Sequence, residues 1–134
     1  MRSILFLLFM IAGPGNLLSQ TWADCCWERS ASGLEYKIEK TGEGRKLQRG
    51  DSVNIRWIWF DCDTGKILEN SMELMGIYKW SVGSGVFVIG FEEGLKKLKR
   101  GGNAYLKIPP KLSFGKNGLD GRKTFCYYIE VLPD

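Results

Sequence analysis

The sequence predicts an α+β domain: an antiparallel β-sheet with one short α-helix packed on its face. Three observations carry this. Apolar and polar residues alternate with a period of two in five separate stretches. A single stretch has the 3.6-residue period of a helix. The 134 residues suffice for one domain and leave little room for a second.

The elements follow in chain order. Met1-Arg2-Ser3 carries a positive charge ahead of an unbroken apolar run from Ile4 to Ala12. That run is too short for a membrane span of ~20 residues but suits the ~7–15 of a signal-peptide core. Gly13-Pro14-Gly15 breaks any helix, and Thr21-Trp22-Ala23 puts small residues at the third and first positions before a cut. Residues 1–23 are therefore expected to be a signal peptide, 24–32 an N-terminal extension and 33–134 the folded domain. The chain is expected in the secretory pathway, in the endoplasmic-reticulum lumen or secreted, as a monomer without a stable membrane anchor. Val131-Leu132-Pro133-Asp134 is not a retrieval signal, so the choice between lumen and secretion stays open.

In the first strand Leu34, Tyr36 and Ile38 alternate with Glu35, Lys37 and Glu39. Val53, Ile55, Trp57 and Trp59 then alternate with Ser52, Asn54 and Arg56, and Asp63-Thr64-Gly65 supplies turn chemistry just beyond. Residues 78–82 and 104–108 repeat the pattern, and Phe125, Tyr127, Ile129 and Val131 share one face of the last strand. The helix lies between the third and fourth strands. Phe91, Leu95 and Leu98 form one apolar stripe, with Glu92 and Glu93 in the first turn and Lys96, Lys97, Lys99 and Arg100 toward the end. That polarity complements the helix macrodipole over about three turns, and Gly101-Gly102 is the expected stop.

Composition narrows the chemistry. There is no His, which excludes Ser-His-Asp triads, Cys-His dyads and imidazole bases. A net charge of +4 argues neither for nucleic acid nor for an anionic membrane, and the basic run after Leu95 is diluted by Glu92 and Glu93. Gly42-Glu43-Gly44 and Gly83-Ser84-Gly85 lack the strand and helix context of a nucleotide loop and read as turns. No cofactor, metal or nucleic-acid partner is expected. Four cysteines, Cys25, Cys26, Cys62 and Cys126, are disulfide candidates in an oxidising compartment. Adjacent Cys25 and Cys26 are unfavoured as mutual partners, so one of them is expected to reach Cys62. Trp57, Trp59, Tyr78, Trp80, Phe87, Phe91, Phe114 and Tyr127 crowd the middle of the domain. Core packing accounts for any one ring. As a set, beside segment ends and glycine turns, they suggest the walls of a pocket.

Val88-Ile89-Gly90-Phe91-Glu92-Glu93-Gly94-Leu95, with Leu98 and Gly101, resembles the central signature of the FKBP family of peptidyl-prolyl isomerases. Ile108-Pro109-Pro110-Lys111-Leu112-Ser113-Phe114-Gly115 resembles its second signature, with Ser and Phe in place of the usual Ala and Tyr. Gly50-Asp51-Ser52-Val53 with Trp57 is similar to the opening strand, residues 63–71 to the family's hairpin, and 125–132 to its closing strand. The resemblance covers about residues 33–132. It implies a bent antiparallel sheet wrapped around one short helix, an apolar pocket between them, and rotation of X-Pro bonds in proline-containing polypeptides. Such rotation needs no proton transfer, so the absence of His is compatible with it.

The resemblance also implies site residues. Phe91 stands where a Trp pocket floor is usual, and Val88 offers the backbone N–H expected to hold the substrate carbonyl. Trp57 replaces a strand Tyr, and Leu68 and Glu69 replace a Phe-Asp pair. Phe114 replaces the Tyr of the second signature and lacks its hydroxyl. Phe87, Tyr78 and Tyr127 match further pocket walls, and Leu119 alone stands in for a longer apolar loop. Trp57, Glu69, Val88, Phe91 and Phe114 thus form the catalytic set, with Leu68, Tyr78, Phe87, Leu119 and Tyr127 binding substrate. The expected protein is a secretory prolyl isomerase with a weakened pocket; the alternative is a catalytically poor FKBP-like binding or chaperone module. Phe114 and the shortened loop remove contacts that hold macrolides in the family, which leaves a macrolide ligand open.

Overall fold

Alternation becomes strand wherever one face of a segment has a core to bury. The computed structural model describes residues 26–74, 76–113 and 123–134. The expected signal peptide, Cys25, Phe114 and Leu119 lie outside those residues. The chain runs β1 (Glu28–Arg29), β2 (Glu35–Lys40), β3 (Glu43–Lys46), β4 (Ser52–Phe60) and β5 (Ile67–Asn70). A single helical turn, α1 (Ser71–Leu74), leads to β6 (Tyr78–Ser81) and then to α2 (Ile89–Leu95). β7 (Lys99–Arg100), β8 (Asn103–Ile108), a 3-10 turn at Pro110–Leu112 and β9 (Phe125–Val131) complete the described fold.

The main sheet has the order β1-β2-β8-β9-β4-β5, with β6 paired to the same edge of β4 as β5. Its pairings are antiparallel throughout, and register shifts interrupt β2–β8 and β4–β5. β3 and β7 form a separate small ladder. This is the α+β architecture expected, a bent antiparallel sheet wrapped around one short helix. The segment assigned to an N-terminal extension contributes its own edge strand, since Glu28 and Arg29 pair with Tyr36 and Glu35. Lys107 sits over the Trp27 ring at 4.1 Å, and Ser30 and Ser32 both donate to the Glu93 carboxylate, so this segment is fastened to sheet and helix alike.

The helix is shorter than the expected three turns. α2 ends at Leu95, the Leu98 N–H tightens back to the Leu95 carbonyl at 3.0 Å, and Lys99–Arg100 leave to pair with β3. The basic run therefore does not serve as the last turn of a helix. Phe91, Leu95 and Leu98 are nonetheless all buried against the sheet, with Ile55, Leu106 and Ile129 facing them in the core. Each such side chain contributes roughly 1.5–3 kcal/mol of burial. Gly90 and Gly94 let the helix backbone lie directly on β8. A Cβ at Gly90 would come within 2.5 Å of Ile108 Cγ2, and one at Gly94 would run into the Leu106 side chain.

The cysteines correct one expectation. Cys62 is joined to Cys126 of the last strand, with 5.3 Å between Cα atoms, rather than to an amino-terminal cysteine. The reason is register: Phe60 is paired with Cys126 across β4 and β9, which places the residue two beyond Phe60 beside the start of β9. Cys26 is also disulfide-bonded.

Candidate functional site

Aromatic side chains from β4, β6, β9 and the turn before α2 converge between sheet and helix. Period-two alternation puts Trp57 and Trp59 on one face of β4, and the register sets Tyr127 of β9 opposite Trp59. Tyr127 is the hub. It stacks on Trp59 at 6.2 Å and 13°, and meets Trp57, Phe87 and Phe91 edge-on at 6.3, 5.8 and 5.6 Å between centroids. Tyr78, at the start of β6, lies 6.1 Å from Trp57. Phe91 forms the inner layer, 5.1 Å from Phe87 and 5.3 Å from Trp80. Offset and edge-to-face contacts of this kind add ~0.5–1.5 kcal/mol each beyond burial, so the cluster is rigid as well as apolar.

Its polar elements are few. Val88 is extended at the entry to α2 (φ −65°, ψ 147°), and its carbonyl accepts from the N–H groups of Phe91 and Glu92 at 3.1 and 3.3 Å. Its own N–H has no acceptor among the described residues. Burial pushes the Tyr127 phenol up from its ordinary value, and the nearby Glu69 carboxylate adds to the rise. Tyr127 is thus a neutral phenol through the physiological range.

The structure brings Trp57, Tyr78, Phe87, Phe91 and Tyr127 together, with Val88 beside them and Glu69 close enough to act on Tyr127. Leu68 lines a cavity of about 300 Å³ with Trp59, Cys62 and Phe125, beside the cluster through Trp59.

Three supporting residues stand outside the expected catalytic and substrate-binding sets, although Trp80 belongs to the aromatic set and Glu92 to the first helical turn. Ser71, fully buried, accepts the Trp57 N–H at 2.9 Å and so anchors α1 to β4 behind the cluster. Trp80 packs on Phe91 and Phe87, on the same face of β6 as Tyr78 two residues earlier. Glu92, only 7% exposed, accepts from Trp80 Nε1 at 2.9 Å and from the Gly83 N–H at 2.6 Å. The i, i+2 spacing of Tyr78 and Trp80 was a usable signal for the indole. Nothing in the sequence distinguishes Glu92 from a solvated first-turn carboxylate.

A bent antiparallel sheet closed on one short helix, with an aromatic cluster between them, defines an FKBP-like domain. The chain belongs to the FKBP-type peptidyl-prolyl cis-trans isomerase family, whose model matches residues 43–132. Among curated relatives it is 31% identical over 112 residues to the FKBP-type peptidyl-prolyl cis-trans isomerase FkpA of Buchnera aphidicola, covering 78% of this chain and 44% of that one. It is 33% identical over 106 residues to FkpA of Escherichia coli, covering 77% and 38%. The chain thus spans less than half the length of these relatives. The crystal structure of Escherichia coli FkpA superposes with a TM-score of 0.72 at 29% identity, over 88% of this chain and 56% of that one. That of AtFKBP13 shares the fold with a TM-score of 0.71 at 22% identity, over 82% and 99%.

Proposed function

We propose that this chain accelerates cis/trans rotation of X-Pro bonds in exported polypeptides, through a site built on Trp57, Tyr78, Val88, Phe91 and Tyr127. The observation that carries the reading is their convergence: an apolar, ring-walled site with one backbone donor at its edge. Rotation is slow in water, tens to hundreds of seconds, because amide resonance must be broken. A surface that seats the prolyl ring against aromatic walls sheds water from the amide and favours the twisted form over the planar one. The Val88 N–H holds the substrate carbonyl while the bond turns. No proton moves, so no general acid or base is required.

The surroundings suit a polypeptide substrate. Ile67, Leu68, Leu74, Ile77, Val86 and Ile89, the exposed large apolar side chains among the described residues, all come from the stretch 67–89 that borders the cluster. The pocket is a weakened one: Phe91 and Phe114 carry no N–H or hydroxyl where the family usually has one. A lost hydrogen bond to a polar transition state costs about 1–3 kcal/mol, roughly 5- to 150-fold in rate. The amino-terminal apolar run and the Cys62–Cys126 bond support passage through an oxidising compartment.

The test is a prolyl-peptide isomerisation assay on the folded chain. Relaxation of the cis peptide should quicken in proportion to protein concentration. A rate equal to the uncatalysed flip, in protein whose near-ultraviolet circular dichroism shows fixed aromatic packing, refutes the enzyme reading.

A further inference from the structure

We infer that Phe87 is a gate over this site: its ring covers the floor, and substrate reaches Phe91 only when that ring swings aside. The inference rests on the isomerase reading of the ring cluster and adds to it a closed state. Phe87 stands at right angles to both Phe91 and Tyr127, 5.1 and 5.8 Å away between centroids. Those two rings are only 1% and 4% exposed, whereas Phe87 itself is half-buried. An incoming prolyl ring and the Phe87 ring therefore compete for contact with Phe91 and Tyr127.

The displaced ring has somewhere to go. Phe87 already borders a groove of about 360 Å³ that neither Phe91 nor Tyr127 lines, shared with Gly83, Gly85, Ile89 and Lys96. A cavity of ~150 Å³ holds a benzene ring, so the groove is roomy enough for a phenyl side chain. Gly85 leaves it open, since a Cβ there would meet nothing within 4 Å. Gly83 and Gly85 both sit at positive φ, +78° and +77°, where side-chain-bearing residues are strained, so the loop keeps that side clear. The inner end of the loop is held by Glu92 through the Gly83 N–H, which confines movement to residues nearer Phe87.

A closed state reduces apparent affinity by the fraction of molecules that are open. Shrinking the ring should remove that penalty. The test compares the full chain with Phe87→Val and Phe87→Leu, measuring affinity for a short N-acylated peptide containing Leu-Pro through the fluorescence of the neighbouring tryptophans. With an open state of ~10% or less, Phe87→Val should bind about 10-fold more tightly, with Phe87→Leu in between. Isomerisation kcat/KM should rise in the same order. Phe87→Val that folds and binds equally, more weakly or not at all overturns the gate and makes Phe87 a wall. If Val disturbs the fold, the Leu variant decides by the same criterion. Turnover absent from every variant refutes the enzyme reading, while the ranking of peptide affinities still decides the gate.

Discussion

Glu92 is held in α2 by having both carboxylate oxygens engaged, one by the Trp80 indole and the other by the Gly83 amide. A buried carboxylate persists only when hydrogen-bonded, and this one fixes two things at once. It orients the indole that backs Phe91, and it fixes the start of the loop that carries Phe87 and Val88. Glu92→Ala leaves two donors unsatisfied, each costing ~1–3 kcal/mol. The expected loss is about 2–6 kcal/mol in urea unfolding, and Glu92→Gln should recover about half by keeping one acceptor. A loss below about 0.5 kcal/mol for Ala would mean that water replaces the carboxylate. The ring cluster was legible in the sequence because aromatics at strand period must share a face. Glu92 was not, because a first-turn carboxylate satisfies the helix dipole whether or not donors lie across from it.

At the scale of elements, α2 and β8 touch through glycine. Helix propensity favours Ala over Gly by ~1 kcal/mol, so Gly94→Ala would stabilise an isolated helix. Here the added methyl meets the Leu106 side chain on β8, whose neighbours Ala104 and Ile108 are also fully buried and cannot yield. Overpacking of this kind costs ~1–3 kcal/mol, enough to outweigh the propensity gain. Gly94→Ala should therefore lower the melting temperature, and a rise would show that the sheet relaxes. The same contact explains which elements could be read in advance. The five strands that turn a face to the core announce themselves by alternation: β4, β8 and β9 bury residues outright, as β8 does with Ala104, Leu106 and Ile108. β2 and β6 pack partly buried Tyr36, Ile38, Tyr78 and Trp80 against it. β1 and β3 are exposed at every residue, so no apolar period marks them. The end of α2 departs from the expected one for a related reason. Leu98 is buried at helical spacing from Phe91, but a 3-10 turn rather than continued helix puts it there.

Across the whole molecule, the central strand β4 is bracketed by two acids tied into its flanking turns. Before it, the Arg45 guanidinium grips Asp51 with two bonds of 2.8 Å, and the Gln48 N–H adds a third at 2.8 Å. Beyond it, Asp61 accepts from the N–H groups of Asp63 and Thr64 at 2.8 and 2.9 Å. Arg45 first, then the Gln48 N–H, hold the Asp51 carboxyl well below the usual carboxylate range, and the Thr64 and Asp63 amides lower Asp61. A carboxyl depressed in the fold stabilises it fully above the unfolded value, near 3.8 here, and that stability is lost as pH falls through the folded value. Acid should therefore unfold the protein from both ends of β4, beginning below about pH 4. The alkaline limit has the opposite sign. The raised Tyr127 phenol favours the fold until the unfolded chain loses its phenolic proton near pH ~10, and stability falls above that. Between these limits no histidine exists to titrate. Urea midpoints at low salt should stay level from pH 5 to about 8 and then drop on the acid side, and Asp51→Asn should flatten that drop. An unchanged acid limb in Asp51→Asn would remove Asp51 as its source. The isomerisation rate should likewise be level across the neutral range, since a conformational mechanism on neutral rings has no proton to lose there; a bell-shaped profile centred near pH 7 would require a titrating group that this site does not contain.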